Sequence, residues 1–274
     1  MSTQVKAVIL DWAGTVLDHG SRAPMGAFVE AFARLGIVIS VADARGPMGM
    51  AKRDHIRLVG TSPTVAAAWR ARHGREFDEA AIDAIFEIFE PLNVAAVEAH
   101  SALIPGALDA FDWCAARGIR LGSTTGYTRP IMERLAPLAA AQGFMPEVMV
   151  CAGDLAAGRP APLQMWSAMA AMGVWPASHV VKLDDTPPGI GEARAAGCWA
   201  VGVALTGNIA GLSAAELAAL DAAARDAIRR DASATLMRAG AHIVVDSVAD
   251  LPAVIDLIEA RLARGDRPGI VDGP

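Results

Sequence analysis

The feature that most constrains this chain is a short apolar run, Val5-Lys6-Ala7-Val8-Ile9-Leu10, followed at once by a carboxylate, Asp11, and a glycine-containing turn. A run this short and rich in β-branched residues suits a strand buried on both faces. Runs of the same kind recur at 118 to 125, 147 to 152, 179 to 185, 199 to 205 and 242 to 246, with alanine-rich helical stretches between them. That alternation predicts an α/β protein built on a doubly wound parallel sheet. Ligands of such sheets bind beyond the carboxyl ends of the strands. Asp11, Thr125 and Asp185 each stand at the end of a predicted strand.

Between Ser21 and His100 the strand pattern vanishes. Residues 27 to 35, 63 to 73 and 79 to 89 have helical periodicity instead, so 21–100 is expected to be a helical cap domain inserted into a core domain made of 1–20 and 101–274. Pro105-Gly106 marks the return to the sheet. Ser213-Ala214-Ala215-Glu216 has the spacing of a capping box and predicts a helix running to about Arg238. The Gly-, Pro- and Asp-rich tail after Arg264 is expected to be loose, and there are no internal repeats.

A chain of 274 residues, 53% of them apolar, can bury a large core beside a smaller one. Its net charge of −6 is spread over interspersed acids and bases, which argues against nucleic acid or an anionic membrane surface as a partner. Cys114, Cys151 and Cys198 form no CxxC pair. They suit small core residues in a reducing cytoplasm better than a disulfide framework or a zinc site. No apolar run approaches the roughly 18 residues of a membrane span. A cytoplasmic enzyme acting on a small molecule is the expectation. The scattered His19, His73, His100, His179 and His242 are at no ligand spacing and are expected to be surface or capping residues, and the dispersed tryptophans to be core or interface anchors.

The chemistry is concentrated at four points. Asp11-Trp12-Ala13-Gly14-Thr15 puts a carboxylate at the tip of a strand, where it can attack phosphorus once a metal and fixed donors offset the repulsion between anions. Asp185 offers a second hard oxygen ligand suited to Mg2+, with Asp184 adding charge beside it. Thr125-Gly126 supplies a hydroxyl and an unhindered N–H for a phosphoryl oxygen. Arg159, in Gly158-Arg159-Pro160-Ala161-Pro162, is a cation able to stabilise charge on that group.

In order, spacing and strand-end placement these four segments resemble the motifs of the haloacid dehalogenase superfamily, whose Rossmann-like core the predicted sheet would be. The resemblance implies Asp11 as nucleophile and Asp11, Asp185 and the Ala13 carbonyl as ligands of magnesium. Phosphatases of that superfamily carry an acid two residues after the nucleophile to protonate the leaving alkoxide. Here that position is Ala13, whose side chain can transfer no proton. The segment Met48-Gly49-Met50-Ala51-Lys52-Arg53-Asp54-His55 offers a resolution. If it is helical from Ala51, Lys52 and His55 share one face near Met48. A lysine amine of lowered pKa forms an imine with an aldehyde, and a nearby histidine can shuttle its protons.

Taken together, these segments, with Ser123-Thr124-Thr125-Gly126-Tyr127-Thr128 and Val181-Lys182-Leu183-Asp184-Asp185-Thr186, resemble the phosphonatase family of that superfamily over nearly the whole chain. The resemblance implies a homodimer with Mg2+, a cap lysine that forms an imine with a phosphonate aldehyde, and an aspartate that cleaves the C–P bond. It also implies Tyr127, Met48 and Ser21 as pocket residues. One departure touches the metal shell: an acid often follows the last motif by four residues, but here that residue is Gly189. Asp185 is expected to be the direct ligand, with Asp184 behind it or in its place. An ordinary phosphatase or phosphomutase of the superfamily, or a non-catalytic relative that binds a phosphometabolite, remains open on the sequence.

Overall fold

Residues 4–269 are described by a computed structural model. The first strand, β1 (Ala7–Leu10), is buried at every residue. It lies between β2 (Arg120–Thr128) and β4 (Val180–Asp184), parallel to both. With β3 (Val148–Ala152), β5 (Trp199–Val203) and β6 (Ile243–Val245) they form a six-stranded sheet of order β3-β2-β1-β4-β5-β6, parallel throughout. This is the expected doubly wound sheet. Alternate residues of β1 serve opposite faces: Val8 and Leu10 join a cluster with Phe111, Ile131 and Ile255, whereas Ala7 and Ile9 pack with Met165, Met169 and Met172. The continuous apolar run is needed because both faces are covered by helices. The strand order reverses between β1 and β4, and a cleft opens there at the carboxyl ends.

The chain leaves the sheet after β1 and returns before β2, and five helices fill the interval: α1 (Ala23–Arg34), α2 (Val41–Arg45), α3 (Lys52–Gly60), α4 (Pro63–His73) and α5 (Glu79–Ala99). They pack around an apolar cluster of their own, with Phe28, Phe32, Trp69, Ile82, Ile85 and Phe89 at its centre. Core helices α6 (Ala107–Ala116), α7 (Arg129–Ala140), α8 (Leu163–Ala171), α9 (Pro187–Ala195), α10 (Ala214–Ala219), α11 (Ala222–Arg238) and α12 (Leu251–Ala263) complete the described chain.

The structure differs from the expected elements in three places. Helix α5 does not stop near Phe89 but runs through Pro91 to Ala99, where tertiary contacts with α1 and α7 hold it. The stretch predicted as one helix from Ser213 to Arg238 is two, because Asp221 accepts the Ala224 N–H and starts α11 afresh. The Ser213–Glu216 capping box is present on α10. Strand β2 continues past Thr125 to Thr128 through a bulge between Thr124 and Thr128. The three cysteines are free and buried, as expected. The part of the predicted loose tail beyond residue 269 lies outside the described residues, and no helix among those described is long and apolar enough to cross a membrane.

Candidate active site

The turn after β1 fixes Asp11. Its N–H donates to the Leu183 carbonyl of β4 at 3.0 Å, and the N–H groups of Thr15, Val16 and Leu17 all donate to the Trp12 carbonyl, which coils the chain tightly. Gly14 has a φ of +82°, and a Cβ there would overlap the Asp185 carboxylate. The turn therefore needs glycine both for its backbone conformation and for its approach to β4. Asp185 is held from two sides, by the Thr15 hydroxyl at 3.3 Å and the Asn208 N–H at 2.6 Å.

Asp11, Asp184 and Asp185 are buried, with carboxylate oxygens within 4.8 Å of one another. Burial, reinforced by Asp184, pushes the Asp11 carboxyl up to about 6 against the pull of Arg159 and Lys182. Burial, then Asp11 and Asp184, raises Asp185 well above the carboxylate range. Carboxylates gathered at such a cost call for positive charge among them, and a set of hard oxygens suits a divalent cation. The cluster could therefore hold a metal ion.

Gly189 accounts for the departure in the last motif. A Cβ at that position would overlap the Asp184 carboxylate. The space that an acid at 189 would need is taken by the carboxylate of Asp184, which is anchored by the Thr186 N–H at 3.0 Å and hydroxyl at 2.7 Å.

Arg159 lies beneath the carboxylates, 3% exposed. Its Nη1 is 2.8 Å from Asp11 and 3.3 Å from Asp184, its Nε is 3.1 Å from Glu192, and its Nη2 donates to the Thr124 carbonyl at 2.6 Å. Burial alone would favour losing its proton, but Asp184, Asp11 and Glu192 outweigh that and hold it firmly cationic. The Nη1 and Nε contacts are ion pairs without aligned hydrogen bonds.

The sequence reading missed the second half of this network. Lys182, fully buried on β4, donates to the Thr124 hydroxyl at 2.7 Å and sits 3.3 Å from Asp184 and 3.7 Å from Glu192, while the Thr124 hydroxyl donates to Glu192 at 2.9 Å. The one available signal was a lysine in the middle of an otherwise apolar strand, a position that requires a buried partner.

The helical insertion supplies the opposite wall. Lys52 opens α3 and is 3% exposed, its amine 3.9 Å from the Met48 sulfur, 5.0 Å from the Tyr127 ring centre and 5.6 Å from that of Phe28. Burial, aided by Arg159 and opposed by Asp11, lowers the ammonium pKa from 10.5 to about 8. The turn before α3 comes very close to the core: a Cβ on Gly49 would overlap Thr186, and one on Gly126 would lie 2.9 Å from the carbonyls of Gly49 and Met50. The bulge in β2 faces this turn. There Thr125 accepts the Tyr127 N–H at 3.0 Å, and the Tyr127 hydroxyl is buried without an aligned partner.

Nine of the residues singled out in the sequence, Asp11, Ala13, Ser21, Met48, Lys52, Thr125, Gly126, Tyr127 and Arg159, line one small cleft, joined by Pro24, Gly49 and Thr186. Asp185 stands behind the wall. His55 does not line the cleft either. It follows Lys52 by three residues and stacks on Phe28 with ring centres 3.8 Å apart. Burial and the nearby Lys52 lower its pKa well below 6.5. Its ring nitrogens lack an aligned hydrogen-bond partner, although the Ala44 backbone lies near enough to favour the proton.

Comparison with known proteins agrees with this geometry. The haloacid dehalogenase-like hydrolase family matches residues 5–197. Proteins named phosphonoacetaldehyde hydrolase are similar over nearly the full length: one from Paraburkholderia xenovorans is 51% identical over 96% of this chain and 99% of its own, and one from Nitratidesulfovibrio vulgaris is 47% identical over 96% and 94%. The crystal structure of a phosphonoacetaldehyde hydrolase-like protein from Oleispira antarctica superposes with a TM-score of 0.95 at 41% identity, covering 96% of each chain. A β-phosphoglucomutase from Clostridium difficile shares the fold alone, with a TM-score of 0.67 at 15% identity over 95% of this chain and all of that one. The chain belongs to the haloacid dehalogenase-like hydrolases and, within them, to the phosphonoacetaldehyde hydrolases.

Proposed function

We propose that this enzyme hydrolyses the carbon–phosphorus bond of phosphonoacetaldehyde to give acetaldehyde and phosphate. The observation that carries the reading is a buried lysine of lowered pKa and a strand-end aspartate lining one small cleft, with Ala13 where a phosphatase keeps its acid. An amine that is partly neutral near pH 8 attacks the aldehyde carbon, and protonation with loss of water leaves a protonated imine on Lys52. An Asp11 oxygen then attacks phosphorus. The C–P electron pair moves toward the imine nitrogen, so the carbon departs as a neutral enamine and needs no proton from position 13. Protonation and hydrolysis of the enamine release acetaldehyde and free Lys52, and a second water hydrolyses the aspartyl phosphate. One water is lost and two are taken up, so the net reaction consumes one.

We assign the phosphonate oxygens to Thr125, Gly126 and Arg159, with Met48 and Tyr127 bounding the organic end. We assign His55, three residues beyond Lys52, as the relay for protons shed at Lys52: burial keeps its ring neutral and its nitrogens free to take a proton, and the same burial makes it hold that proton only weakly, so it passes it on. Asp11, Asp185 and the Ala13 carbonyl would hold Mg2+, with Asp184 behind them, and the donor chemistry of the carboxylate cluster supports this. When bound, the ion offsets negative charge between the phosphonate and Asp11. We also assign 21–100 to a cap domain and 1–20 with 101–274 to a core domain. The insertion's separate apolar cluster supports that division. A homodimer in the cytoplasm completes the proposal.

Borohydride trapping tests it. Wild-type protein treated with phosphonoacetaldehyde and borohydride should be inactivated and carry a reduced adduct on the peptide containing Lys52. Lys52→Arg should lose C–P cleavage by several orders of magnitude, because guanidinium does not condense with a carbonyl. An adduct on Lys182 or Lys6, or normal cleavage by Lys52→Arg, refutes the imine. Asp11→Asn should release no phosphate yet still form the adduct.

A further inference from the structure

The last residue of α2, Arg45, reaches from the helical insertion into the core loop that follows β5. Its Nη1 donates to the Asn208 carbonyl at 2.8 Å, to the Asn208 side-chain oxygen at 3.2 Å and to the Gly20 carbonyl at 3.1 Å, while Nη2 donates to the Gly211 carbonyl at 3.1 Å. Asn208 returns the contact through its side-chain amide, 3.3 Å from the Arg45 carbonyl. Every acceptor is neutral. The guanidinium fork therefore responds to the shape of the loop rather than to a charge on it, and its bonds form together only when the insertion and the loop take these positions.

The same loop holds Asp185. The Asn208 N–H donates to Asp185 Oδ2 at 2.6 Å, a short charge-assisted bond inside the protein. The loop is confined between the two partners: a Cβ on Gly207 would lie 2.5 Å from the Asp185 side chain, and one on Gly211 would lie 2.6 Å from the Arg45 guanidinium carbon. Gly211 also has a φ of +65°. A shift of the loop toward either side meets a side chain, so displacement of Arg45 transmits to the Asn208 N–H and from there to Asp185.

We infer that Arg45 is a positioning residue that couples docking of the helical insertion to the orientation of Asp185 through Asn208. The inference rests on the reading of Asp185 as a metal ligand. Coupling of this kind is reciprocal: docking strengthens metal binding, and the metal strengthens docking by the same factor.

Titration calorimetry with Mg2+ on the full chain, combined with amide hydrogen exchange, tests the coupling. Arg45→Met should weaken Mg2+ binding about fivefold, the lower end of ordinary coupling between sites. In wild type, saturating Mg2+ should slow exchange over 41–46 and 206–211. In Arg45→Met that effect over 41–46 should vanish. Arg45→Lys keeps the charge but loses the fork, so it should resemble Arg45→Met and serves if the methionine variant does not fold. Asp185→Asn isolates the underlying assumption. Unchanged Mg2+ affinity in Asp185→Asn refutes the ligand reading. Lost affinity there with unchanged affinity and exchange protection in the Arg45 variants refutes the coupling alone.

Discussion

A methyl group on Gly189 would overlap the carboxylate of Asp184, so these two positions share one space. The acid that relatives of this fold often place at 189 and the acid this chain places at 184 are alternatives. We expect Gly189→Ala to push Asp184 away from Thr186 and Arg159, costing about 1–3 kcal/mol of stability and about tenfold or more in phosphate release. Gly189→Asp should be worse, because two buried carboxylates would then compete, and adding Asp184→Ala should recover part of the loss. Thermal melts and turnover of the three variants check this. A Gly189→Ala enzyme with wild-type melting and rate sinks the shared-space argument.

A second expectation concerns the two crossings between sheet and insertion, which are tied by His100 Nδ1 at 3.3 Å from Asp18. Asp18 has a φ of +54° and its carboxylate also accepts the N–H groups of Arg22 and Ala23 at 3.0 and 2.9 Å. The hydrogen bond to Asp18 raises the His100 pKa above 6.5. A raised histidine pKa means that the folded state holds the proton more tightly. Its contribution is therefore complete below the unfolded pKa of about 6.5 and is lost as pH rises through the folded value. His100→Gln should lower Tm most at about pH 6 and hardly at all by about pH 9. A melting difference independent of pH would show that the pair contributes through packing alone.

The metal reading predicts that EDTA abolishes phosphate release and that Mg2+ restores it. Calcium should substitute poorly, because its longer and looser coordination suits a compact set of fixed carboxylates badly. Loss of the metal should also lower Tm, since mutual repulsion within the Asp11, Asp184 and Asp185 cluster is then offset by Arg159 and Lys182 alone. Full activity in a rigorously metal-free preparation would end this reading.

Much of this arrangement was legible in the residues, for physical reasons. Strands buried on both faces leave uninterrupted apolar runs, and the cleft of a parallel sheet opens at the ends of those runs, so the gathering of Asp11, Thr125 and Asp185 in one region could be anticipated without a structure. Lys52 stood out because Ala13 carries no acid, and the structure buries it in the same cleft as Asp11. What stayed hidden depends on distant packing. Pro91 ordinarily ends a helix, yet α5 passes through it under contact with α1 and α7. Glu192 lies seven residues beyond Asp185 in a helix of average appearance, and only the fold shows its carboxylate meeting Arg159 at 3.1 Å. Arg45 sits among many surface arginines of the insertion, and nothing local marks it as the one that crosses to Asn208.

The last prediction follows from the burial of Lys52. An amine must be neutral to attack an aldehyde, and burial lowers this one from 10.5 to about 8. At pH 7 about one molecule in ten is then ready, against about one in three thousand for an unperturbed lysine. For phosphonoacetaldehyde, kcat/KM should therefore climb about tenfold per pH unit below the pKa of the free enzyme's amine and level off above it. The Met48 sulfur is 3.9 Å from that amine, so the side chain at 48 is placed to tune it. Met48→Glu puts a carboxylate beside the ammonium and should move the limb to higher pH, whereas Met48→Gln, of similar size and uncharged, should leave it nearly in place. A wild-type limb above pH 10, or a limb that ignores Met48→Glu, would mean that burial of Lys52 does not set the pH dependence of the reaction.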